Sequence, residues 1–439
     1  MELRLLLPTA LALLATAGVG NRGNAAPSAD EQQPRTVDEV LEQSLESDFD
    51  AGKLRGALHA LAGPILPDLF EALCEGTTRA GEPLDEPRRI LVRTTLVRTP
   101  LGELRPFLES LATGPTPVDR RMAAMGILGA AGEGRDVALL ARMAPVDSQQ
   151  VTVGIDQRQV FSAALAEIAA RDPEVSPQLG SVLRQAHPSL AAPLVRAMAS
   201  ADDAERLLAA ELHVNASYDE LILLELARLG ESRRLQLDEL QRRTIRALLD
   251  GHNSVATVTL ATRAAAGARD DDAVPALIDL LESPDRVIAK AARVALESIT
   301  RQRLRDDVEA WRAWHSRELK WWRDESQDTF RRVTGRDAAD AGNAIRELSA
   351  RRLFVDRVAQ GLIPALDRDD PELVLLACSA LAQLEATSAV PRLVDCLDHE
   401  HAGVRDLAWK TLRDLTGRQL GPDPRLWRER VLAQPDKTP

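Results

Sequence analysis

One local cluster of metal-ligand residue types occurs in the sequence, the run His399-Glu400-His401. Asp395 and Asp398 come just before it. Imidazole and carboxylate groups hold zinc when three or four of them converge, and a helical HExxH spacing is one way to achieve this. Neither that spacing nor another ordered ligand set is present. We therefore interpret the run as a solvated turn between helices, and we predict no bound metal and no cofactor.

Tryptophan is concentrated in one short segment that also carries arginine. With about 100° of rotation per residue, its four Trp side chains fall within about 100° of arc on a helix. Such a stripe can form an aromatic platform for a glycan or peptide, or it can pack the helix against its neighbour. Packing is the commoner role of an apolar stripe at this spacing. The possible binding surface consists of Trp311, Trp314, Trp321, Trp322, Arg312 and Arg323.

Three cysteines are present: Cys74, Cys378 and Cys396. In an oxidising compartment the last two could pair if they face each other, although no CxxC spacing links them. Buried free thiols are the favoured interpretation. A nucleophilic cysteine would need a base partner, and none is identifiable.

Signatures of common enzyme classes are missing from the sequence. It contains no GxSxG elbow, no GxxxxGK[ST] loop and no strand-led GxGxxG. The acidic runs at 270–272 and 367–370 precede predicted helices, where carboxylates act as caps. We therefore predict that the protein is not an enzyme.

A basic cluster lies in the middle of the chain. It can bind an acidic partner, but such residues more often form a solvated face paired with nearby acids, here Glu231, Asp238 and Glu239. The cluster consists of Arg233, Arg234, Arg242, Arg243 and Arg246.

The composition points to helices and to an acidic protein. The chain has 439 residues, with 67 acidic and 55 basic side chains and a net charge of −12. This balance disfavours a nucleic-acid partner, because affinity for phosphates depends on basic residues. Aromatic residues make up only 3%, so the core must be built from aliphatic side chains of strong helix formers.

The N-terminus has the pattern of a secretory signal peptide. Arg4 precedes an apolar stretch from Leu5 to Leu14, and small residues follow. The stretch is shorter than the about 20 residues that span a bilayer, and no other segment is apolar enough to do so. The pattern predicts a signal peptide over 1–25, a flexible lead-in over 26–38 and a disordered tail over 433–439, with export to the periplasm or cell envelope.

An internal repeat dominates the second half of the chain. Segments that begin at Ala273 and Ala389 align without a gap at an offset of 116 residues. Each copy predicts two helices, the first opening on a proline and the second capped by a short polar turn. Because Trp311 aligns with Trp427, the repeat favours a packing role for that tryptophan. The aligned pairs include Val274/Val390, Pro275/Pro391, Leu277/Leu393, Ala292/Ala408 and Leu296/Leu412.

These residues resemble the HEAT-repeat family, in its short bacterial form shared with phycobilin-lyase-type proteins. The run Asp370-Pro371-Glu372-Leu373 leads through Ala377 and Ala380-Leu381 to Ala389-Val390-Pro391, as in D-P-x-V-R-x-x-A-x-x-A-L-G followed by A-V-P-x-L. The closing segment from Leu415 to Trp427 is similar to one in secreted bacterial HEAT-repeat proteins. Ala289 and Val374 stand where the family has Arg, and Ala382 and Glu385 stand where it has Gly.

The resemblance implies an all-α fold, an α-solenoid of HEAT-like helix pairs. We predict degenerate helical repeats over 39–235, HEAT repeats with a Trp-containing helix over 236–316, and a second copy of the HEAT unit over 317–432. Repeats of this kind stack neighbour on neighbour and expose long surfaces.

The predicted function is a non-catalytic protein-binding scaffold of the cell envelope, with a protein as its partner. Two alternatives remain open. The first is an envelope glycan-binding module that uses the Trp311–Trp322 segment. The second is a lyase-like enzyme accessory, which rests on the resemblance alone.

Overall fold

The computed structural model describes residues 36–46, 51–60, 65–78, 81–144, 155–172 and 175–432. The predicted signal peptide at 1–25 and the predicted tail at 433–439 lie outside the described residues. The lead-in, predicted to reach residue 38, ends too late, because the first helix begins at Val37. Thr36 accepts a hydrogen bond from the backbone N–H of Glu39 and so helps to start that helix.

The described residues form helices, joined by turns and one isolated antiparallel bridge between Thr77 and Pro83. The α-helices are α1 (Val37–Glu46), α2 (Ala51–Ala60), α3 (Ile65–Glu75), α4 (Glu86–Arg98), α5 (Leu101–Thr113), α6 (Val118–Ala131), α7 (Val137–Met143), α8 (Ile155–Arg171), α9 (Ser176–Gln185), α10 (Ala191–Ala199), α11 (Ala204–Glu211), α12 (Ala216–Ser232), α13 (Glu239–Ala247), α14 (Val255–Ala268), α15 (Val274–Leu280), α16 (Arg286–Thr300), α17 (Val308–Asp324), α18 (Ser326–Val333), α19 (Ala338–Ser349), α20 (Val355–Leu362), α21 (Pro371–Gln383), α22 (Val390–Asp395), α23 (Ala402–Thr416) and α24 (Pro424–Trp427).

The chain divides into two compact units, Met1–Thr95 and Leu96–Pro439. The sequence pattern does not mark this division, and the predicted boundaries at 235/236 and 316/317 stay predictions. In the first unit α1 packs on α2 and α3. Its core holds Leu41, Leu58 and Leu69, each fully buried.

The second unit is a stack of helix pairs, the arrangement of an α-solenoid. One layer runs from α6 through α8, α10, α12 and α14 to α16, with each helix packed on the next. The helix before each of these in sequence packs against it from a second layer. The layering resumes with α19, α21 and α23, after α17 and α18. Fold class is therefore as predicted, all-α and solenoidal.

Small residues set the closest approach within the stack. Gly230 on α12 faces Gly267 on α14, and a Cβ on Gly230 would lie 2.8 Å from the Cα of Gly267. The backbone N–H of Leu235 donates to the Gly267 carbonyl oxygen over 3.0 Å. A larger side chain at either glycine would force the two helices apart.

The predicted helix signals are confirmed in the weakly repetitive part of the chain and in both copies. Asp285, Asp307, Asp370 and Asp423 are N-caps whose carboxylates accept backbone N–H groups. The helical character predicted for 39–235 is confirmed, because the described residues of that range form α1 to α12.

Among the described residues, no helix combines the length and the apolar character needed to cross a bilayer.

Candidate functional site

The tryptophan segment lies on α17, and most of its rings point into the protein. Trp311, Trp314 and Trp321 are 0%, 7% and 4% exposed, whereas Trp322 is half-buried. The indole N–H of Trp311 donates to the Arg305 carbonyl oxygen over 2.9 Å. These three buried rings leave little surface for stacking a glycan or peptide, so they act as packing groups.

Trp427 repeats the environment of Trp311 in the second copy. It is fully buried, and its indole N–H donates to the Gly421 carbonyl oxygen over 2.8 Å. Gly421 lies 116 residues after Arg305, so donor and acceptor both obey the repeat offset. A buried indole whose N–H is satisfied by backbone is a structural anchor.

The two arginines of the possible binding surface are engaged in exposed ion pairs. Arg312 contacts Glu282 at 2.8 Å and Glu309 at 3.2 Å, and Arg323 contacts Asp324 at 2.9 Å. The structure therefore does not bring the six predicted residues together as one exposed aromatic surface.

Trp322 belongs to an aromatic cluster at the C-terminal end of α17. Its ring centroid lies 5.3 Å from that of Phe354, 6.0 Å from Phe330 and 5.2 Å from Trp321. The Arg351 guanidinium stacks over Trp321 at 4.0 Å, which adds a cation–π contact. Phe354, whose ring belongs to this cluster, directly precedes Val355, which lines a second, charged region.

That charged region, which we call the Arg-rich depression, is shallow and open to solvent, with about 20 Å³ of space that the centre of a water molecule can occupy. Ile299, Val355 and Leu384 are its apolar members. The full lining is Arg234, Arg269, Asp271, Ile299, Arg301, Arg352, Val355, Gln383 and Leu384.

Helix ends position the charged side chains of the Arg-rich depression. Arg269 and Arg301 end α14 and α16 in the left-handed conformation, with φ of 49° and 56°. Glu385 follows α21 with φ of 52°. This conformation closes a helix by returning an N–H to the last turn. It costs about 1–2 kcal/mol for residues other than glycine.

Carboxylates already occupy much of the guanidinium surface. Glu385 is held between Arg269 and Arg301, which each donate to one of its oxygens. Arg234 donates to both oxygens of Asp356, over 2.9 and 2.6 Å. Such two-pronged pairs are geometrically specific for planar oxyanions.

Asp271 lines the Arg-rich depression, and its pKa lies near neutral pH. Burial raises its pKa to about 7, and the negative charges of Asp356 and Asp270 act in the same direction. The Arg234 charge and the Phe354 N–H oppose this shift. Burial also lowers the pKa of Arg269, which Arg234 and Arg301 repel.

Arg233, Arg234 and Arg246 of the predicted basic cluster are paired with acids, but mostly with other acids than predicted. Arg233 contacts Glu205 at 3.0 Å, and Arg246 contacts Asp270 at 2.7 Å. Of the three predicted partners only Glu239 is one, to Arg246. The other two have different roles, because Glu231 pairs with Arg263 and Asp238 caps α13. The stack brings in acids that are distant in sequence.

The His399-Glu400-His401 run is a turn before α23. The backbone N–H of His401 donates to His399 Nδ1 over 3.0 Å, and Arg405 donates to the carbonyl oxygens of His399 and Glu400. Within the described residues, no three His, Cys, Asp or Glu side chains are grouped to hold a metal ion. Cys378 and Cys396 are buried and are not joined by a disulfide, and Cys74 is half-buried.

The sequence interpretation missed the Arg-rich depression as a site, although a signal was present. Arg301 aligns with Gly417 at the repeat offset, and Gly417 has φ of 68°. Glycine is the residue that adopts positive φ most easily. Because the first copy has arginine there instead, the side chain at this position is expected to have a role beyond the turn.

No protein-family model and no curated protein matches the chain. Among solved structures, an engineered protein is 19% identical over 86% of this chain and 98% of its own, with a TM-score of 0.28. The chain is also similar to Kap121p, at 12% identity over 87% of this chain and 44% of that one, with a TM-score of 0.34. Kap95p in a RanGDP complex is 11% identical over 91% and 57%, with a TM-score of 0.28. The chain thus spans less than half of Kap121p, and likenesses at these scores carry no functional weight.

Proposed function

We propose that the protein is a non-catalytic scaffold that binds a protein partner through the layer formed by α12, α14 and α16. The observation that carries the proposal is a set of exposed aliphatic side chains on these adjacent helices. Leu224 and Val255 are 40% and 41% exposed, and Val287 and Val294 are 56% and 53% exposed. Aliphatic groups on neighbouring elements favour contact with another protein surface.

The α16 helix supports the proposal most directly. Its inner face is secured by Ile288, Leu296 and Ile299, which are buried. Val287 and Val294 are seven residues apart, so they lie on one face of the helix. Because the inner face alone anchors the helix, the outer valines are available for recognition.

The test replaces Val287 and Val294 with glutamate in the full chain. We expect the double variant to keep its helix content and melting temperature, because both side chains are exposed. Its affinity for the partner should fall at least about ten-fold, since the interface would have to bury two charges. The partner is first identified by crosslinking the wild-type chain in envelope extract.

The matched control is Val118→Glu, which changes an exposed valine on α6. A partner retained by this control and lost by the double variant supports the proposal. Equal binding by all three forms contradicts it.

The envelope location is part of the same proposal and rests on the N-terminal sequence pattern. A C-terminally tagged chain should fractionate with the periplasm or envelope and have a shortened N-terminus. A full-length product confined to the cytosolic fraction would contradict this part.

A further inference from the structure

The Arg-rich depression combines an apolar wall with an excess of cationic donors. Its guanidinium groups belong to Arg234, Arg269, Arg301 and Arg352. Arg352 donates to the backbone oxygens of Ser349 and Arg351, over 2.9 and 3.5 Å, and among the described residues no carboxylate pairs with it. Concave sites that join apolar walls to a few converging polar groups are typical of small-ligand binding.

Backbone strain is concentrated at the same place. Over the described ranges, six residues other than glycine have positive φ. Four of these line or adjoin the depression: Arg269, Arg301, Phe354 and Glu385. Strained residues persist where the surrounding structure enforces them, and they cluster at binding sites.

The two copies of the repeat show that this strain is not required by the helix end itself. In the first copy the Arg301 N–H donates to Glu297, and in the second the Gly417 N–H donates to Arg413, over 3.0 and 2.9 Å. The backbone turn is the same, yet one copy uses arginine and the other glycine. The arginine therefore contributes something that the turn does not need.

Glu385 shows which chemical group the Arg301 side chain binds. Its carboxylate lies between the Arg269 and Arg301 guanidinium groups and receives one donor on each oxygen. Arg301 is 52% exposed, so donors of the same guanidinium remain accessible from solvent. The arrangement shows that these guanidinium groups accept a planar carboxylate. Arg301 and Arg352 line the same depression.

We propose that the Arg-rich depression binds a carboxylate attached to a short apolar group, with Arg301 and Arg352 holding the carboxylate and Ile299, Val355 and Leu384 contacting the apolar part. Gln383 offers a further amide donor at the wall. Glu385 competes with the ligand for Arg301, so it limits the affinity of the site. The inference is independent of the proposed scaffold function, because it uses other residues and another kind of contact.

Two sources can supply this chemistry: a free short-chain acid, or the C-terminal residue of a peptide. The probes are therefore isovalerate and a hexapeptide that ends in leucine, each compared with its carboxamide. Binding to the full chain is measured by calorimetry or by ligand-detected NMR. We expect both acids to bind and both amides to bind at least about ten-fold more weakly, because charged hydrogen bonds are lost.

Two variants test the assigned residues. Arg301→Gly copies the residue of the second repeat and tolerates positive φ, so the fold should persist while affinity falls about ten-fold or more. Glu385→Gly also suits its backbone and removes the internal competitor, so affinity should rise about ten-fold. Arg135→Gln, at an exposed arginine outside the depression, is the control for net charge.

The outcomes are distinct. A peptide that binds more tightly than isovalerate identifies a protein C-terminus as the source, and equal affinities identify a free acid. If neither acid binds the wild-type chain or any variant with a dissociation constant below about 10 mM, the proposal is overturned. So does an equal loss in Arg135→Gln and Arg301→Gly, which would indicate non-specific charge. If Glu385→Gly lowers the melting temperature without any gain in binding, the ion pairs serve only as a structural link.

Discussion

The two copies of the repeat in the second unit differ in an instructive way. Where they agree, the shared residues build the core: Trp311 and Trp427 are fully buried and donate to equivalent backbone oxygens. Where they differ, the first copy has charged residues that contact the second copy. In the alignment of the two copies, Arg301 pairs with Gly417 and Asp271 pairs with Thr387. Agreement thus marks packing, and disagreement marks the surface that can acquire a function.

Truncation of the shared tryptophans is the strongest test of whether agreement between the copies marks packing. Trp311→Ala and Trp427→Ala should each lower the free energy of unfolding by about 3–5 kcal/mol, because each leaves a large cavity and an unpaired carbonyl oxygen. Urea denaturation followed by circular dichroism measures both. A loss below about 1 kcal/mol at either position would show that the copies do not share a packing role.

The next effect concerns Asp271, whose pKa of about 7 exceeds its unfolded value of about 3.9. Between these two values the folded state binds a proton that the unfolded state has lost. Stability from this group therefore falls as pH rises from about 4 to about 7, and it stays level above that. Burial, followed by the charges of Asp356 and Asp270, raises this pKa, whereas the Arg234 charge and the Phe354 N–H lower it.

Asp271→Asn should remove this pH dependence. Relative to wild type, the variant should gain about 2 kcal/mol between pH 4 and pH 8, a value discounted for partial solvent screening. Denaturation curves at both pH values test it, with Asp272→Asn as the control at an exposed neighbour. Parallel stability profiles for wild type and Asp271→Asn would rule out the raised pKa.

A smaller effect is expected when the αL residues are exchanged between the copies. Gly417→Arg should lower stability by about 1 kcal/mol, because arginine is strained at φ of 68°. Open space surrounds the position, so no steric clash adds to this cost. Arg301→Gly should change stability by less than about 0.5 kcal/mol, since relief of strain offsets the loss of an exposed ion pair. Thermal denaturation distinguishes the two. Equal losses for both substitutions would mean that the Arg301 contact is mainly structural.

Local signals predicted the helical fold well. Asp307 and Asp423 cap helices because an aspartate before a helix accepts free N–H groups, and this depends on only a few neighbouring residues. The helices in the weakly repetitive part, such as α6 and α12, followed from apolar spacing alone. The division between Thr95 and Leu96 had no such local signal.

The candidate site was harder to predict, because its members come from helix ends that are far apart in sequence. Arg234 and Asp356 are 122 residues apart, and Arg269 and Glu385 are 116 residues apart. The acidic run at 270–272 lies before α15, but its predicted capping role is wrong, because Asp270 makes no side-chain cap bond and pairs with Arg246 instead. Glu205 and Asp270, which pair with Arg233 and Arg246, were missed for the same reason.

The sequence by itself determined that this protein is built from paired helices, because periodicity, caps and an internal repeat act over short distances. It also determined which tryptophan belongs to the core, since Trp427 repeats Trp311. Only the tertiary structure decided which charges meet. The stacking of helix pairs brings Arg269 and Arg301 to Glu385, and that stacking depends on the summed geometry of every helix between them.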